Sequence, residues 1–181
     1  NEGTIMIKGK LISLQLVTEK QLDALYTLHI NISNRGDFFP LKIMPEPVFK
    51  AKFRETGFWS EDFSQLLITD VQNTIIGSIW AMKTVPYFQA FEIGYIIYDK
   101  KNYGKGYMTE ALSLFADYLF KVKTINRLEI RILPFHSASE KVALKCGFKF
   151  EGIIREAIFH HGQYQDLRQF ALLRSERIKP N

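Results

Sequence analysis

A strand-like segment followed at once by a glycine-rich turn is the part of the sequence best suited to chemistry. Residues 91–98 form an apolar, β-branched and aromatic run typical of a strand, and an amphipathic pattern begins directly after Gly104-Lys105-Gly106. The first N–H groups of a helix have no internal acceptor, and glycine lets backbone approach a ligand closely. The pattern predicts a phosphate or pyrophosphate held against residues 102–109.

Two common phosphate motifs fit this turn poorly. The P-loop spacing is absent, and the dinucleotide fingerprint G-x-G-x-x-G is only half matched, because Thr109 occupies its third glycine position. Neither motif therefore identifies the phosphate ligand, and the paired glycines alone are not specific enough to do so.

Other reactive residue types give weaker signals. Cys146 stands before a helix-ending glycine with no partnered base, which favours core packing over a role as acyl-carrying nucleophile. His160 and His161 are expected on opposite faces of a strand, and no third ligand is placed near them. We therefore expect no metal site.

Hydrophobic periodicity indicates strands and helices that would position the turn. A capping box of Thr18 and Gln21 opens the first helix, which is expected to end near Ser33. The strand, crossover helix and strand over 88–133 predict one parallel pairing within a mixed sheet. The expected strands are 11–17, 65–69, 74–85, 88–98, 127–133 and a closing hairpin of 157–160 with 163–173; the further helices are 46–55, 107–122 and 137–146.

Composition predicts one domain, residues 1–181, with an ordinary hydrophobic fraction of 46% and a charged fraction of 24%. The net charge of +5 is spread along the chain, so it indicates either solubility or attraction of a polyanionic small ligand, and not nucleic acid. No apolar run approaches the roughly 20 residues of a membrane span. The single cysteine fits a reducing compartment, and we expect a cytoplasmic location.

The segment from Lys101 to Gly106 resembles the Gln/Arg-x-x-Gly-x-Gly/Ala motif of the GNAT superfamily of N-acetyltransferases, which cradles the pyrophosphate of coenzyme A. The continuation over 107–112 resembles the branch that contains the ribosomal-protein N-terminal acetyltransferases. Lys101 departs from the usual Gln or Arg, although lysine can still meet a phosphate as a point charge.

A second motif follows in the same order and spacing as in the family. His136, Ser139, Lys145 and Gly147-Phe148 resemble N-x-x-S-x-x-x-x-x-K-x-G-F, with His136 replacing the usual Asn. Residues 151–155 resemble the E-G-x-x-R run of the ribosomal-protein branch, and the resemblance covers about residues 8–177.

The resemblance implies an α/β fold with a GNAT-like mixed, mainly antiparallel central sheet flanked by helices. It implies acetyl-coenzyme A as the acetyl donor, and a segment between the first two helices that walls the acceptor site; the aromatics at 38 and 39 could equally form a satellite core cluster. The residues implied or expected to contact the cofactor are Ile97, Tyr98, Lys101, Asn102, Tyr103, Gly104, Lys105, Gly106, Tyr107, Met108, Thr109, His136, Ser139 and Lys145.

Acetyl transfer to an amine needs a group that removes a proton from the amine and one that protonates the leaving thiolate. Glu92 is the candidate base, acting through water, or else an anchor for a cationic acceptor or a structural carboxylate paired with a basic residue. Ser139 is the candidate acid by its motif position, or else a helix-capping hydroxyl. Tyr103 and Tyr107 also carry hydroxyls, but packing roles are favoured for both. A backbone N–H near Ile97 is the expected oxyanion donor.

The sequence thus predicts direct transfer of an acetyl group from acetyl-coenzyme A to a primary amine, preferably a protein N-terminal amine. A polyamine, amino sugar or aminoglycoside remains an alternative acceptor. A non-catalytic acyl-coenzyme A sensor is a different class of function that the same motifs allow. Either a monomer or a homodimer fits.

Overall fold

The computed structural model describes residues 4–177, so the outer limits of the expected domain, residues 1 and 181, lie outside it. Within that range one sheet of eight strands is accompanied by four α-helices. The strands are β1 (Ile5–Lys8), β2 (Ser13–Leu16), β3 (Phe63–Thr69), β4 (Ile75–Lys83), β5 (Ala90–Ile97), β6 (Arg127–Ile132), β7 (Lys149–His160) and β8 (Gln163–Leu173), and the helices are α1 (Leu22–Ile30), α2 (Glu46–Thr56), α3 (Tyr107–Val122) and α4 (Ser137–Lys145).

The strands lie in the order β1-β2-β3-β4-β5-β6-β8-β7. Neighbours run antiparallel except β5 and β6, which run parallel and are connected through α3. A parallel pair needs such a crossover, because a tight turn cannot return the chain in the same direction. The predicted mixed, mainly antiparallel sheet with one parallel pairing is confirmed.

Alternation along β5 sends its side chains to two different helix layers. Phe91 and Ile93 pack with α3 and α4, whereas Ile96 and Tyr98 pack with α1 and α2. The face of α3 that meets the sheet is buried throughout and consists of Met108, Ala111, Leu112, Phe115, Ala116, Leu119 and Phe120. The position of an apolar side chain along β5 therefore decides which helix layer it contacts.

Two strand segments lie where periodicity predicts none. In β1, a four-residue edge strand, Met6 and Ile7 are both half-buried, so the alternation that marks a strand is missing. The register of β7 against β8 shifts twice, and Gly152 (φ 151°) and Glu156 (φ 46°) lie at or beside those shifts. Bulges of this kind change which residues face the core, and they hide a strand from a period-two pattern.

The first turn of α3 is tied to the N-terminal edge of the sheet by Glu110. Its carboxylate accepts hydrogen bonds from the N–H groups of Lys10, Leu11 and Ile12 at 2.8, 2.8 and 2.9 Å. A Cβ on Gly9 would come within 2.7 Å of the same carboxylate, so glycine permits the close approach. Glu110 therefore fixes the position at which α3 begins.

Replacing Glu110 by alanine should lower the free energy of unfolding by about 2 kcal/mol, because three N–H donors lose a charged acceptor. Denaturant unfolding measures the change. Glu61→Ala is the matched control: its side chain is 95% exposed and lies 3.9 Å from Lys123, so its effect should stay within about 0.5 kcal/mol. Equal effects of the two substitutions would contradict the anchoring role.

Candidate active site

Strands β5 and β6 separate part-way along their length. Their parallel pairing covers three residue pairs and ends where Glu92 faces Glu129. Beyond this point β5 continues to Ile97 paired only with β4, and β6 continues to Ile132 paired only with β8. The sheet therefore contains a gap that opens toward the C-terminal ends of both strands.

The backbone groups that face this gap belong to alternate residues of β5. The N–H of Tyr98 donates to the carbonyl of Ile76, before Gly77 in β4, at 2.9 Å. Since backbone groups alternate in direction along a strand, those of Tyr95 and Ile97 and the carbonyl of Ile93 point away from β4 and into the gap, while the Ile93 N–H belongs to the last parallel pairing with Glu129. An extended ligand can hydrogen-bond to them as an added strand would.

The glycine loop continues from the open end of the gap. Gly104 and Gly106 both have left-handed backbones, with φ of 71° and 79°, a conformation that favours glycine. Gly106 is the N-cap of α3, and its carbonyl accepts the N–H of Glu110 at 3.1 Å. The amides of residues 107–109 have no intrahelical acceptor and are left for an external one, as at other anion-binding helix N-termini.

Polar side chains hold the beginning of this loop in place. Asp99, with φ of 67°, accepts the N–H of Lys101 at 3.0 Å and pairs with its ammonium at 3.2 Å. Asn102 donates its side-chain amide to the Tyr98 carbonyl at 3.2 Å. Lys101 and Asn102 thus shape the loop through contacts within it, while Lys105 stays exposed beside the ring of Tyr107 at 5.9 Å.

Three residues expected to contact the cofactor, Tyr98, Met108 and Lys145, differ from the others in where their side chains lie. The backbone of Tyr98 is bonded within the protein, and its buried ring places the hydroxyl 3.3 Å from that of Ser78, so Tyr98 does not face the gap. The side chain of Met108 is buried in the core, which leaves its amide as the available group. Lys145 lies in the last turn of α4, about 9 Å along the helix axis from Ser139.

A pair of hydroxyl groups joins β5 to the first turn of α4. The Oγ of Ser139, a residue only 7% exposed, lies 2.8 Å from the hydroxyl of Tyr95. Burial raises the pKa of Tyr95 to about 12, while the hydrogen bond with Ser139 opposes the shift. Tyr95 is therefore a neutral phenol at physiological pH, able to donate to Ser139 or to accept from it. Sequence periodicity placed Tyr95 among apolar strand residues and gave no sign of this contact.

The thiol of Cys146 lies against the start of α3 and donates to the carbonyl of Thr109 at 3.3 Å. Burial raises the pKa of Cys146 to about 11. The group is therefore a protonated thiol near neutral pH, and the thiolate needed for nucleophilic attack is scarce.

Glu92 lies at the closed end of the gap, on the opposite face of β5 from Tyr95. Its carboxylate is bonded to Arg131, which also donates to Glu129 at 3.0 Å. Glu129 is fully buried and accepts a further bond from Arg127 at 2.9 Å. Burial raises the pKa of Glu92 above its ordinary value; Arg131 opposes this shift and Glu129 adds to it. A half-buried carboxylate with a raised pKa is a candidate for proton exchange with a substrate.

A family model described as an acetyltransferase (GNAT) domain matches residues 13–149, which run from the start of β2 to the start of β7. The chain belongs to the GNAT acetyltransferase family. The prediction of an acetyltransferase is thereby confirmed.

Individual relatives agree with the family assignment. The probable N-acetyltransferase YjcK of Bacillus subtilis is 32% identical over 178 residues, 93% of this chain and 97% of the relative. The ribosomal alpha-N-protein acetyltransferase RimL, solved with coenzyme A, superposes with a TM-score of 0.79 at 22% identity, covering 94% of this chain and 98% of its own. The spermidine N-acetyltransferase of Vibrio cholerae, solved with coenzyme A and spermine, gives 0.78 at 19% identity over 93% and 98%. These likenesses confirm the GNAT fold.

In this GNAT chain the α1–α2 segment, residues 31–45, is held in shape by Arg35. Arg35 is 3% exposed, and its guanidinium donates to the carbonyls of His29, Pro40 and Lys42 at 2.7, 2.7 and 3.1 Å. Three backbone acceptors on one rigid side chain fix the course of a segment that has no regular structure between its two helices except a short 3₁₀ turn.

The same segment reaches the elements around the gap. Phe38 stacks on His136 at the N-cap of α4, with ring centroids 4.2 Å apart, and a ring nitrogen of His160 lies 2.9 Å from the Asp37 carbonyl. Burial lowers the pKa of His136, so this ring is neutral near pH 7. Phe39 instead packs edge-on against Trp80 at 6.1 Å. One aromatic therefore joins the wall of the site and the other joins the core.

The hydroxyl of Tyr103 completes the contact between the α1–α2 segment and the glycine loop. It would lie 3.1 Å from a Cβ on Gly36. Burial and the nearby Asp37 and Asp99 carboxylates raise the pKa of Tyr103. This neutral phenol stands at the entrance between the loop and the segment.

The expected opposed orientation of His160 and His161 is wrong. His161 begins the hairpin turn with φ of 48°, and this conformation brings the two rings within 4.1 Å of each other. Across residues 4–177 no group of three or more His, Cys, Asp and Glu side chains is arranged to hold a metal ion. Over the same range no helix is long and apolar enough to cross a membrane.

Proposed function

We propose that this GNAT enzyme transfers the acetyl group of acetyl-coenzyme A directly to the α-amine of a polypeptide N-terminus, in the cytoplasm. One observation carries the proposal: the gap between β5 and β6 leads without interruption into the glycine loop and the N-terminus of α3. A thioester that carries a pyrophosphate at its far end fits such a path, with the anion at the helix and the extended arm in the gap.

The residues present suit this co-substrate. The amides of residues 104–109 would hold the pyrophosphate, with Lys101 or Lys105 adding positive charge from the surface. The open backbone groups of Tyr95 and Ile97 and the carbonyl of Ile93 would hold the amide-containing arm. The thioester would then lie beside Tyr95 and Ser139, and an N–H of β5 in the gap would stabilise the oxyanion.

The two candidate catalytic side chains lie on opposite faces of β5. We infer that Ser139, supported by Tyr95, donates a proton to the thiolate as the carbon–sulfur bond breaks, and that water returns a proton to the serine. Glu92 takes the proton that the amine loses as its nitrogen bonds to the acetyl carbon. From Glu92 to Tyr95 is about 10 Å along a strand, so this proton transfer runs through water. The protonated state of Cys146 supports direct transfer without an acyl-enzyme.

The basicity of the attacking nitrogen favours a peptide α-amine as the acceptor. A peptide brings one α-amine, whose pKa of about 8 makes deprotonation easier than for a lysine at about 10.4. The α-amine is therefore the acceptor we expect.

The pH dependence of turnover should report the state of Glu92. A base acts when deprotonated, so its raised pKa places the acidic limb of the kcat/KM profile above the ordinary glutamate value. Glu92→Gln should remove that limb and lower kcat by about 100-fold. Arg131→Gln removes a partner that lowers the pKa of Glu92, and it should move the limb to higher pH.

Steady-state kinetics across pH separate the two roles considered for Glu92. If Glu92→Gln raises only the KM of the acceptor and keeps the acidic limb, Glu92 is an acceptor anchor. If neither the limb nor the KM changes, the carboxylate is structural and both roles are wrong.

An acceptor screen tests the proposed reaction. Peptides with free N-termini, the same peptides with blocked N-termini, spermidine and an aminoglycoside are each offered with acetyl-coenzyme A, and thiol release is followed. We expect turnover with free N-termini only. Faster turnover of spermidine would replace the peptide by a small amine as the acceptor.

A further inference from the structure

A cavity of about 440 Å³ lies on the Glu92 side of the sheet, at the end of β5 and β6 remote from the glycine loop. Arg127 and Glu129 form part of its wall and also belong to the ion-pair network that contains Glu92. Ion pairs therefore link the cavity wall to Glu92, the proposed base. None of the steps above uses this cavity.

Polar groups with no protein partner line this cavity. Arg127 donates through Nε to Glu129 and through Nη2 to Glu151. Within residues 4–177 its Nη1 has no hydrogen-bond acceptor. Gln169 donates its amide to Glu151 at 3.1 Å, which leaves its side-chain oxygen available.

Two further amide side chains stand at the edge of the same cavity. The N–H of Asn126 donates to the Gln89 carbonyl at 2.9 Å, a bond that fixes both backbones at the cavity. Over the described part of the chain their side-chain amides make no hydrogen bond. Amide donors and acceptors of this kind match the alternating groups of a polypeptide backbone.

An exposed aromatic pair completes the lining. Tyr87 is 79% exposed and Phe88 is 42% exposed, and their rings meet edge-on with centroids 5.3 Å apart. Aromatic side chains held outside the core and beside unpaired polar groups are typical of a surface that binds another chain.

We propose that this cavity binds the acceptor polypeptide beyond its N-terminal amine. The inference rests on the proposed function and adds where the rest of the substrate lies. The attacking nitrogen lies at the thioester beside Tyr95, six residues and about 20 Å of strand from Gln89, and an extended peptide advances about 3.3 Å per residue. The sixth and seventh acceptor residues therefore reach the cavity, where a side chain packs on Tyr87 and the backbone bonds to the amides.

Binding of a labelled peptide of about ten residues, with a free N-terminus and an aromatic seventh residue, tests the subsite in the presence of coenzyme A. Tyr87→Ala should weaken its binding by about 10-fold. Tyr164→Ala is the matched control, because that tyrosine is 69% exposed and meets Phe159 edge-on at the same 5.3 Å. The control should leave the affinity unchanged, as should Tyr87→Ala for a dipeptide amide that is too short to reach the cavity.

The outcomes separate this inference from the proposed function. Peptide affinity that depends on neither length nor Tyr87, or no peptide binding at all, overturns the subsite. Weaker spermidine binding in Tyr87→Ala, with peptide binding unaffected, overturns it as well. Acetylation of all peptide lengths at equal efficiency would leave the proposed function standing without the subsite. Peptide binding that depends on Tyr87 but gives no acetylated product would support the subsite and overturn the proposed function.

Discussion

Replacing Gly106 by valine should weaken binding of acetyl-coenzyme A by about 100-fold. The residue caps α3 with φ of 79°, which valine adopts only with strain, and the substitution disturbs the amides proposed to hold the pyrophosphate. Loss of two hydrogen bonds to a charged group, at about 1.4 kcal/mol each, accounts for the expected factor. Isothermal titration of the folded variant measures it.

A matched glycine separates ligand contact from backbone strain. Gly162 has φ of 80° in the hairpin turn, and nothing lies within 4 Å of a Cβ placed on it. Gly162→Val should therefore carry similar strain without affecting coenzyme A affinity, and the thermal unfolding of both variants shows whether the strain is equal. Unchanged coenzyme A affinity in folded Gly106→Val would show that the pyrophosphate does not bind at this loop.

Ser139→Ala should lower kcat by about 100-fold while acetyl-coenzyme A affinity changes by less than about threefold. The hydroxyl matters as the thiolate develops, and general acids typically contribute at least this much. Tyr95→Phe keeps the ring but removes the group that lies 2.8 Å from Ser139, so it should reduce kcat by about 10-fold. Pre-steady-state and steady-state kinetics distinguish these effects from altered binding.

A change confined to the KM for acetyl-coenzyme A would contradict the role of Ser139 as the acid. If Ser139→Ala changes only the KM for acetyl-coenzyme A, the serine is a binding or helix-capping residue. The Tyr103 hydroxyl, at the loop entrance, is then the next candidate acid.

The glycine loop and α3 could be predicted because their signals are local. Gly104 and Gly106 have the left-handed backbones that glycine favours, and the apolar spacing places the start of α3 at Tyr107, where the structure has it. Alternation along a strand also puts Glu92 and Tyr95, three residues apart, on opposite faces of β5. These features depend on a few neighbouring residues, so sequence pattern was sufficient.

The contacts that give the candidate site its chemistry join distant parts of the chain. Arg131 meets Glu92 across 39 residues, and Ser139 meets Tyr95 across 44. The gap depends on the point at which two parallel strands stop pairing, a property of the packed sheet. No local pattern carries that information, and Tyr95 was therefore classed with its apolar neighbours.

Coupled measurement of thiol release and peptide mass tests the central claim most directly. The protein is incubated with acetyl-coenzyme A and a peptide that has one free α-amine, and the site of modification is mapped by fragmentation. We predict one acetyl group on the N-terminal nitrogen for each coenzyme A thiol released, no product with a blocked N-terminus, and about 100-fold slower reaction with Ser139→Ala. Tight binding of acetyl-coenzyme A without acetylation of any amine would contradict the account and identify a sensor of the cofactor.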